Sequence, residues 1–395
     1  MMNLDVFKTE IGDELKRIID FWKSNSVDLK NGGFVGRLDS YGEIHPQSEK
    51  GLVLYARILW SFSAHYNFSK DKESLNLAER AYQYLNIFFR DNQNGGLFWS
   101  VEFDGKPKST RKQIYGLAFT IYALSEFYKA TQNNSALNWA IELFNLIEEY
   151  SFDDEFGGYF EAFSLNWDLI EDLRLSEKDR NDPKTMNTHL HVIEAYANLY
   201  EVWKDRQLKS RIIYLLELFD SKIINKKNFH LGLFFSKNWI SQSDCISFGH
   251  DIEAAWLLLD CAKKIDDKDL IKKFSDLAIK IADAASEGFN LDGSLKHEYS
   301  PSTNQIDSHR EWWVSAEAMV GYLNAYQITQ QEKYLLRVSD LWSFIRKHLF
   351  DYTNGEWFWG VYEDYSKMLN EDKIGFWKCP YHNTRACILI IEMLK

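Results

Sequence analysis

Hydrophobic positions fall into two alternating kinds of segment. The first kind is amphipathic. In DKESLNLAERAYQYLNIFFRD, from Asp71, the residues Leu75, Ala78, Tyr82 and Leu85 recur at the spacing of one helical face. Similar segments begin near Leu4, Ser135, Arg206, Lys268 and Gln331. The second kind is apolar on nearly every side. It begins at Gly51 (GLVLYARILWSFSAHY), Tyr115, His191, Asp251, Trp313 and Ala386. A helix with no polar face is buried. The alternation predicts an all-α chain: six inner helices ringed by six amphipathic ones, an (α/α)6 barrel.

A repeat supports this reading. Glycine among aromatics recurs as NGGFVGRLD, NGGLFWSVE, FGGYFEAF, HLGLFFS, LDGSLKHEY and NGEWFWGVY. Gly32, Gly95, Gly157, Gly232, Gly293 and Gly355 are spaced by 63, 62, 75, 61 and 62 residues, the mark of a repeat architecture. These segments read as short β-hairpins joining helices at one rim. The long interval holds a polar insertion, Asp168–Pro183, placed to cover a site. Pro46, Pro107, Pro183, Pro301 and Pro380 each sit shortly before an inner helix and never inside one, as proline requires. No Pro/Ser/Gly-rich linker divides the chain, so residues 1–395 are expected to form a single catalytic domain.

Composition narrows the function. The net charge of −12 argues against nucleic acid or a membrane surface as partner. No apolar run approaches a membrane span, and the first residues lack a secretory pattern, so a cytoplasmic location is expected. Cys245, Cys261, Cys379 and Cys387 are scattered and read as reduced thiols. Aromatic residues reach 16%, which suits core packing and also sugar stacking.

Ionisable side chains in inner helices are costly and need a reason. They are Arg57, Glu194, His250, Glu253, Glu317, His382 and Arg385, with His191 three residues before Glu194. Partners three or four apart share a helical face, and most lie near helix N-termini, so they converge on one pocket if all inner helices start at one rim. Three histidines there suit acid–base chemistry near neutral pH. A helix N-terminus favours neutral imidazole, the form a base needs. A neighbouring carboxylate, a role open to Glu253, can orient an imidazole. Arg57 has two open uses: pairing with a buried glutamate, or holding a developing oxyanion. Two bases and a cation suit removal and return of a proton α to a carbonyl, such as C2 of an open-chain aldose. His189 lies on another face from His191 and reads as structural, and Trp60 and Trp256 as packing. His189-x-His191 and His250-x-x-Glu253 each offer two metal ligands but no third, so no metal is expected. With no P-loop or dinucleotide fingerprint, no cofactor is expected either.

KTMNTHLHVIEAY, FGHDIEAAW, EWWVSAEAMVGY and WKCPYHNTRAC resemble the N-acylglucosamine 2-epimerase superfamily, within it the cellobiose 2-epimerases, over the whole chain. The resemblance implies an (α/α)6 barrel, no metal or nucleotide, and a disaccharide substrate epimerised at C2 of its reducing-end glucose. It implies His250 and His382 as the two bases, Arg57 as the oxyanion holder, His191 as a sugar ligand assisting ring opening, and Glu253 as support for His250. Trp313 and Trp377 would stack on sugars, with Tyr115, Asn187 and Glu317 as further pocket contacts. Tyr55 departs from that family's usual asparagine, which bears on contacts next to Arg57 and on substrate preference.

Rival readings stay open on sequence alone. They are a mannose-type aldose–ketose isomerase, an N-acylglucosamine 2-epimerase, a glycoside hydrolase using loop carboxylates such as Asp39, Glu298 and Asp307, and a non-catalytic sugar-binding toroid. A monomer or weak homo-oligomer is expected.

Overall fold

The computed structural model describes residues 2–177 and 179–395. Twelve α-helices alternate along them. The outer helices are α1 (Leu4–Asn25), α3 (Lys72–Tyr84), α5 (Asn134–Leu146), α7 (Arg206–Leu218), α9 (Lys268–Ala285) and α11 (Glu332–Phe344). The inner helices are α2 (Leu52–Ser69), α4 (Ile114–Thr131), α6 (Met186–Val202), α8 (Phe248–Lys264), α10 (Trp312–Thr329) and α12 (Tyr381–Met393). Each inner helix packs on the next, and α12 returns to α2 and closes the ring. No described helix is long and apolar enough to cross a membrane.

Local sequence sets both kinds of start. Asn3, Asp71, Asn133, Asp205 and Asp267 cap α1, α3, α5, α7 and α9, their side chains accepting from first-turn N–H groups. Five inner helices, α2, α4, α6, α8 and α10, instead follow directly on short strands, while α12 follows a loop that ends at Pro380. Three of the six start at least three residues earlier than the apolar pattern predicts: α6 at Met186, α8 at Phe248 and α12 at Tyr381 rather than near His191, Asp251 and Ala386. Their first turns carry Asn187, His382 and Asn383, polar residues that a hydrophobicity pattern assigns to a loop.

Inner helices run into outer ones through tight turns, with Lys70, Gln132 and Gln330 in the left-handed region. At the opposite rim the chain makes the expected hairpins, with pairings such as Val27–Phe34, Arg90–Leu97, Phe152–Tyr159 and Phe350–Trp357. Short strands stitch neighbouring units together: Lys50–Gly51 pairs with Ser100–Val101, Lys112–Gln113 with Ala162–Phe163, and Lys184–Thr185 with Phe234–Phe235. A Leu38–Ile374 bridge links the last unit to the first. All six inner-helix N-termini therefore point to this rim.

A buried ion pair anchors most hairpins. Lys50 reaches Asp28 at 3.0 Å, Lys112 reaches Asp91 at 2.7 Å, Lys184 reaches Asp153 at 2.6 Å, and Lys373 reaches Asp351. Each aspartate also accepts backbone N–H groups of its own turn, as Asp91 does from Gln93 and Asn94. In the fifth unit Arg310 faces Asp292 at 3.4 Å, and in the fourth His230 faces Asp251 at 2.7 Å. The prolines stay out of helix interiors, and all four cysteines are free.

Candidate active site

The hairpin rim opens into a cavity of about 570 Å³. Arg57 (α2), Tyr115 (α4), Asn187 and His191 (α6), His250 and Glu253 (α8), Trp313 (α10) and His382 (α12) line it, with Trp377 from the loop before α12. Every inner helix thus contributes. Glu317, expected as a pocket contact, lies fully buried behind His382 and outside the lining. The insertion does cover the mouth, through Leu175, Ser176, Glu177 and Asp179. It is tied down by Arg111 and Gln113, which donate to the carbonyls of Asp172 and Arg174 at 2.5 and 2.8 Å. A second cavity of about 280 Å³ lies beneath it and shares His250 and Asn187. Glu161 sits there, pushed up to about 8 by burial.

The three imidazoles are held differently. His382 Nδ1 lies 2.7 Å from Glu317 Oε1, and His191 Nδ1 lies 2.9 Å from Glu194 Oε2. A carboxylate only accepts, so each ring donates its Nδ1–H to its glutamate; in His382, held neutral by burial, Nε2 is the free base. His250 Nδ1 instead meets the Ser247 hydroxyl at 2.8 Å. A hydroxyl donates or accepts, so His250 can present Nε2 with or without a proton. Burial, with His191 and His297 nearby, holds His250 down at about 3. Burial, then Arg57 and Arg385, holds His382 well below the usual imidazole range. Both are neutral near pH 7.

The Trp313 indole touches both of these rings, with centroids 4.8 Å from His250 and 5.8 Å from His382. Its N–H donates to Glu311 at 2.7 Å, and Trp359 donates to the same carboxylate at 3.1 Å. Gly249 makes this contact possible: a Cβ there would stand 2.7 Å from the indole.

Arg57 is buried, yet no carboxylate pairs with it among the described residues. Nη2 donates to the Tyr115 hydroxyl at 2.9 Å and Nη1 faces Cys379 Sγ at 3.7 Å. Nε has no partner, and the guanidinium lies 4.2 Å from the Phe119 ring centroid. Of its two open uses, pairing with a glutamate is therefore absent.

Glu253, expected to support His250, bonds Arg385 Nη2 at 2.6 Å instead. Arg385 also bonds Glu317 at 2.7 Å, Glu194, and the Tyr381 hydroxyl. Burial pushes Glu253 up to about 7, with Glu317 adding to the rise. Burial acts on Glu194 too, but Arg385 and His191 outweigh it and hold the carboxyl at about 2. Trp256 does more than pack: it donates to Glu317 at 3.2 Å and lies under Arg385.

Other expectations resolve directly. His189 accepts from Tyr159 N–H at 2.8 Å and meets Thr185 O at 2.6 Å, a structural role. Tyr55 points away from the cavity: its hydroxyl bridges N–H and C=O of Phe34 at 2.7 and 2.6 Å, so it does not alter contacts beside Arg57. Glu253, Glu317 and His382 bring three potential metal-ligating atoms within 4.8 Å of one another. The Arg385 cation already bonds both carboxylates.

Sequence reading missed His297, Trp312 and Trp359, which also line the cavity. His297 is held up at about 9, because Glu311, Asp307 and Glu298 outweigh its burial. All three lie at or beside the hairpins, where no helical period marks a face.

A helical toroid thus closes around imidazoles, indoles and a guanidinium that no carboxylate pairs among the described residues. The sequence profile of N-acylglucosamine 2-epimerase (GlcNAc 2-epimerase) matches residues 32–386, and the chain belongs to that family, the carbohydrate epimerases of the isomerase class. Among its relatives, a protein of Bacteroides fragilis named cellobiose 2-epimerase is 46% identical over 98% of this chain and 99% of its own. One of the same name from Dictyoglomus turgidum is 41% identical over 100% of both chains. The solved cellobiose 2-epimerase of Bacillus thermoamylovorans superposes with a TM-score of 0.94 at 41% identity, covering 98% of this chain and 99% of that one.

Proposed function

We propose that the protein is a cellobiose 2-epimerase. It inverts C2 of the reducing-end glucose of β-1,4-linked disaccharides, turning cellobiose into 4-O-glucosyl-mannose and lactose into epilactose. The observation that carries this reading is the pair of neutral imidazoles, His250 and His382, bordering one indole beside an unpaired buried guanidinium.

The reaction begins with ring opening, which His191 assists: the C1–O5 bond breaks and C1 becomes an aldehyde. Nε2 of His382 then takes the C2 proton. The C2–H electron pair forms the C1–C2 double bond, and the aldehyde oxygen becomes an oxyanion. Arg57, in a low-dielectric setting, holds that cis-enediolate. The new negative charge favours transfer of a solvent proton onto His250, which delivers it to C2 from the opposite face; the C1–C2 double-bond pair forms the new C2–H bond, the oxyanion re-forms the aldehyde, the ring closes, and His382 releases its proton to water. From the mannose epimer the two histidines exchange roles. Glu317 stabilises the His382 imidazolium as it forms. Trp313 and Trp377 stack on the reducing-end and second sugars.

Incubation with cellobiose, followed by NMR of the products, tests the reading. Glucosyl-mannose is expected. Conversion confined to free mannose or N-acetylglucosamine, or release of glucose, overturns it in favour of an isomerase, the amino-sugar epimerase or a hydrolase.

A further inference from the structure

Arg385 stands three residues after His382 on α12, one turn deeper and outside the cavity lining. It is 2% exposed. Its guanidinium gathers one carboxylate from each of three other inner helices: Glu194 of α6, Glu253 of α8 and Glu317 of α10. Two of these carboxylates also hold an imidazole by Nδ1, Glu194 that of His191 and Glu317 that of His382. We propose that Arg385 is a positioning residue: through Glu194 and Glu317 it fixes which ring nitrogen of His191 and His382 faces the substrate.

Geometry and charge both support this. A carboxylate on a short side chain can turn about its terminal bond. The planar guanidinium, with donors in a rigid fork, fixes that turn; an ammonium does not. With the carboxylate plane set, the Nδ1–H direction of the imidazole is set, and Nε2 follows. The cluster is also unmatched. Three carboxylates meet one guanidinium, whereas a brace needs only a balanced pair. The surplus negative charge lies on the side of each ring away from the sugar, where it favours the imidazolium that forms as the C2 proton arrives. Arg385 limits that surplus.

The groups acting on His382 come from all sides. Arg57 of α2, His191 of α6, His250 of α8 and Arg385 of its own helix oppose its protonation, while Glu317 of α10 favours it. Loss of the Arg385 charge therefore leaves His382 protonated at higher pH.

The experiment uses the full chain, rests in its kinetic arm on the epimerase reading, and adds an arm that does not. In Arg385→Gln, the acid limb of the pH profile of kcat/KM for cellobiose is expected to move up by about one unit or more. kcat is expected to fall ~100-fold while KM changes little, because Arg385 does not touch the cavity. Arg385→Lys keeps the charge without the fork; its acid limb stays near that of the parent while kcat still falls ~10-fold. The second arm follows imidazole nitrogen resonances by NMR through a pH titration without substrate. Protonation of His382 at higher pH in Arg385→Gln is expected. A kcat loss with an unmoved acid limb and unchanged imidazole titration contradicts the proposal, as does Arg385→Lys with full activity. If Arg385→Gln fails to fold, the Lys variant alone decides. A parent inactive on cellobiose, with a His382 imidazole that still shifts on loss of Arg385, sinks the epimerase reading and leaves the positioning role standing.

Discussion

Two regions hold buried charges that are matched differently. Around the hairpins, Lys50, Lys112, Lys184 and Lys373 each have an aspartate of their own. On the cavity floor nothing balances: among the described residues Arg57 has no carboxylate, and Arg385 has three. A buried charge with one good partner holds chain to chain, and its loss costs stability. A buried charge left over is a standing cost that only a ligand or a transition state offsets. The matched set maintains the toroid, and the unmatched set is where chemistry is expected.

Breaking the unmatched set should produce the largest effects. Removing either proposed base, in His382→Ala or His250→Ala, is expected to lower kcat for cellobiose by ~10³-fold or more, with the fold intact by circular dichroism. Arg57→Gln deletes the charge that faces the enediolate and should lower kcat ~10²-fold, with a smaller change in KM. Activity of either histidine variant within tenfold of the parent contradicts the division.

Breaking the matched set should do the reverse. Lys112→Met strands Asp91 in a buried site and is expected to cost about 3–5 kcal/mol of stability by denaturant unfolding. The folded fraction should keep kcat within about twofold, since Lys112 lies outside the cavity lining.

A gentler probe is pH. His250 has an ordinary value of 6.5 and is held at about 3 in the folded chain. The unfolded chain therefore binds the extra proton first as pH falls. Stability from this group is complete above 6.5 and is lost progressively towards 3. Thermal unfolding should show a shallower decline over that window in His250→Gln than in the parent; equal slopes contradict the lowered value.

Much of this contrast was legible in the sequence, and for a physical reason. Apolar inner helices and capped amphipathic outer ones leave strong periodic marks, so the barrel and its hairpins followed from pattern alone. A lone charge in an apolar helix is also conspicuous, and nine of the ten predicted site residues line one cavity. Two kinds of information were hidden. Lys50, Lys112 and Lys184 lie in short strands that belong to neither pattern, and their aspartates are some twenty to thirty residues away, so no spacing rule joins them. Pairing across helices was equally invisible. Glu253 shares a helical face with His250, yet Arg385 of α12 reaches it, because the ring brings α12 and α8 to one floor. Tyr55 belongs to the same lesson: two residues from Arg57 in sequence, it points outward to Phe34.

The most direct test of the central claim, that two imidazoles serve one carbon from opposite faces, is epimerisation of cellobiose in heavy water with NMR of the product at early conversion. Glucosyl-mannose carrying deuterium at C2 is the expected result. Glucosyl-mannose that retains only protium at C2 contradicts it.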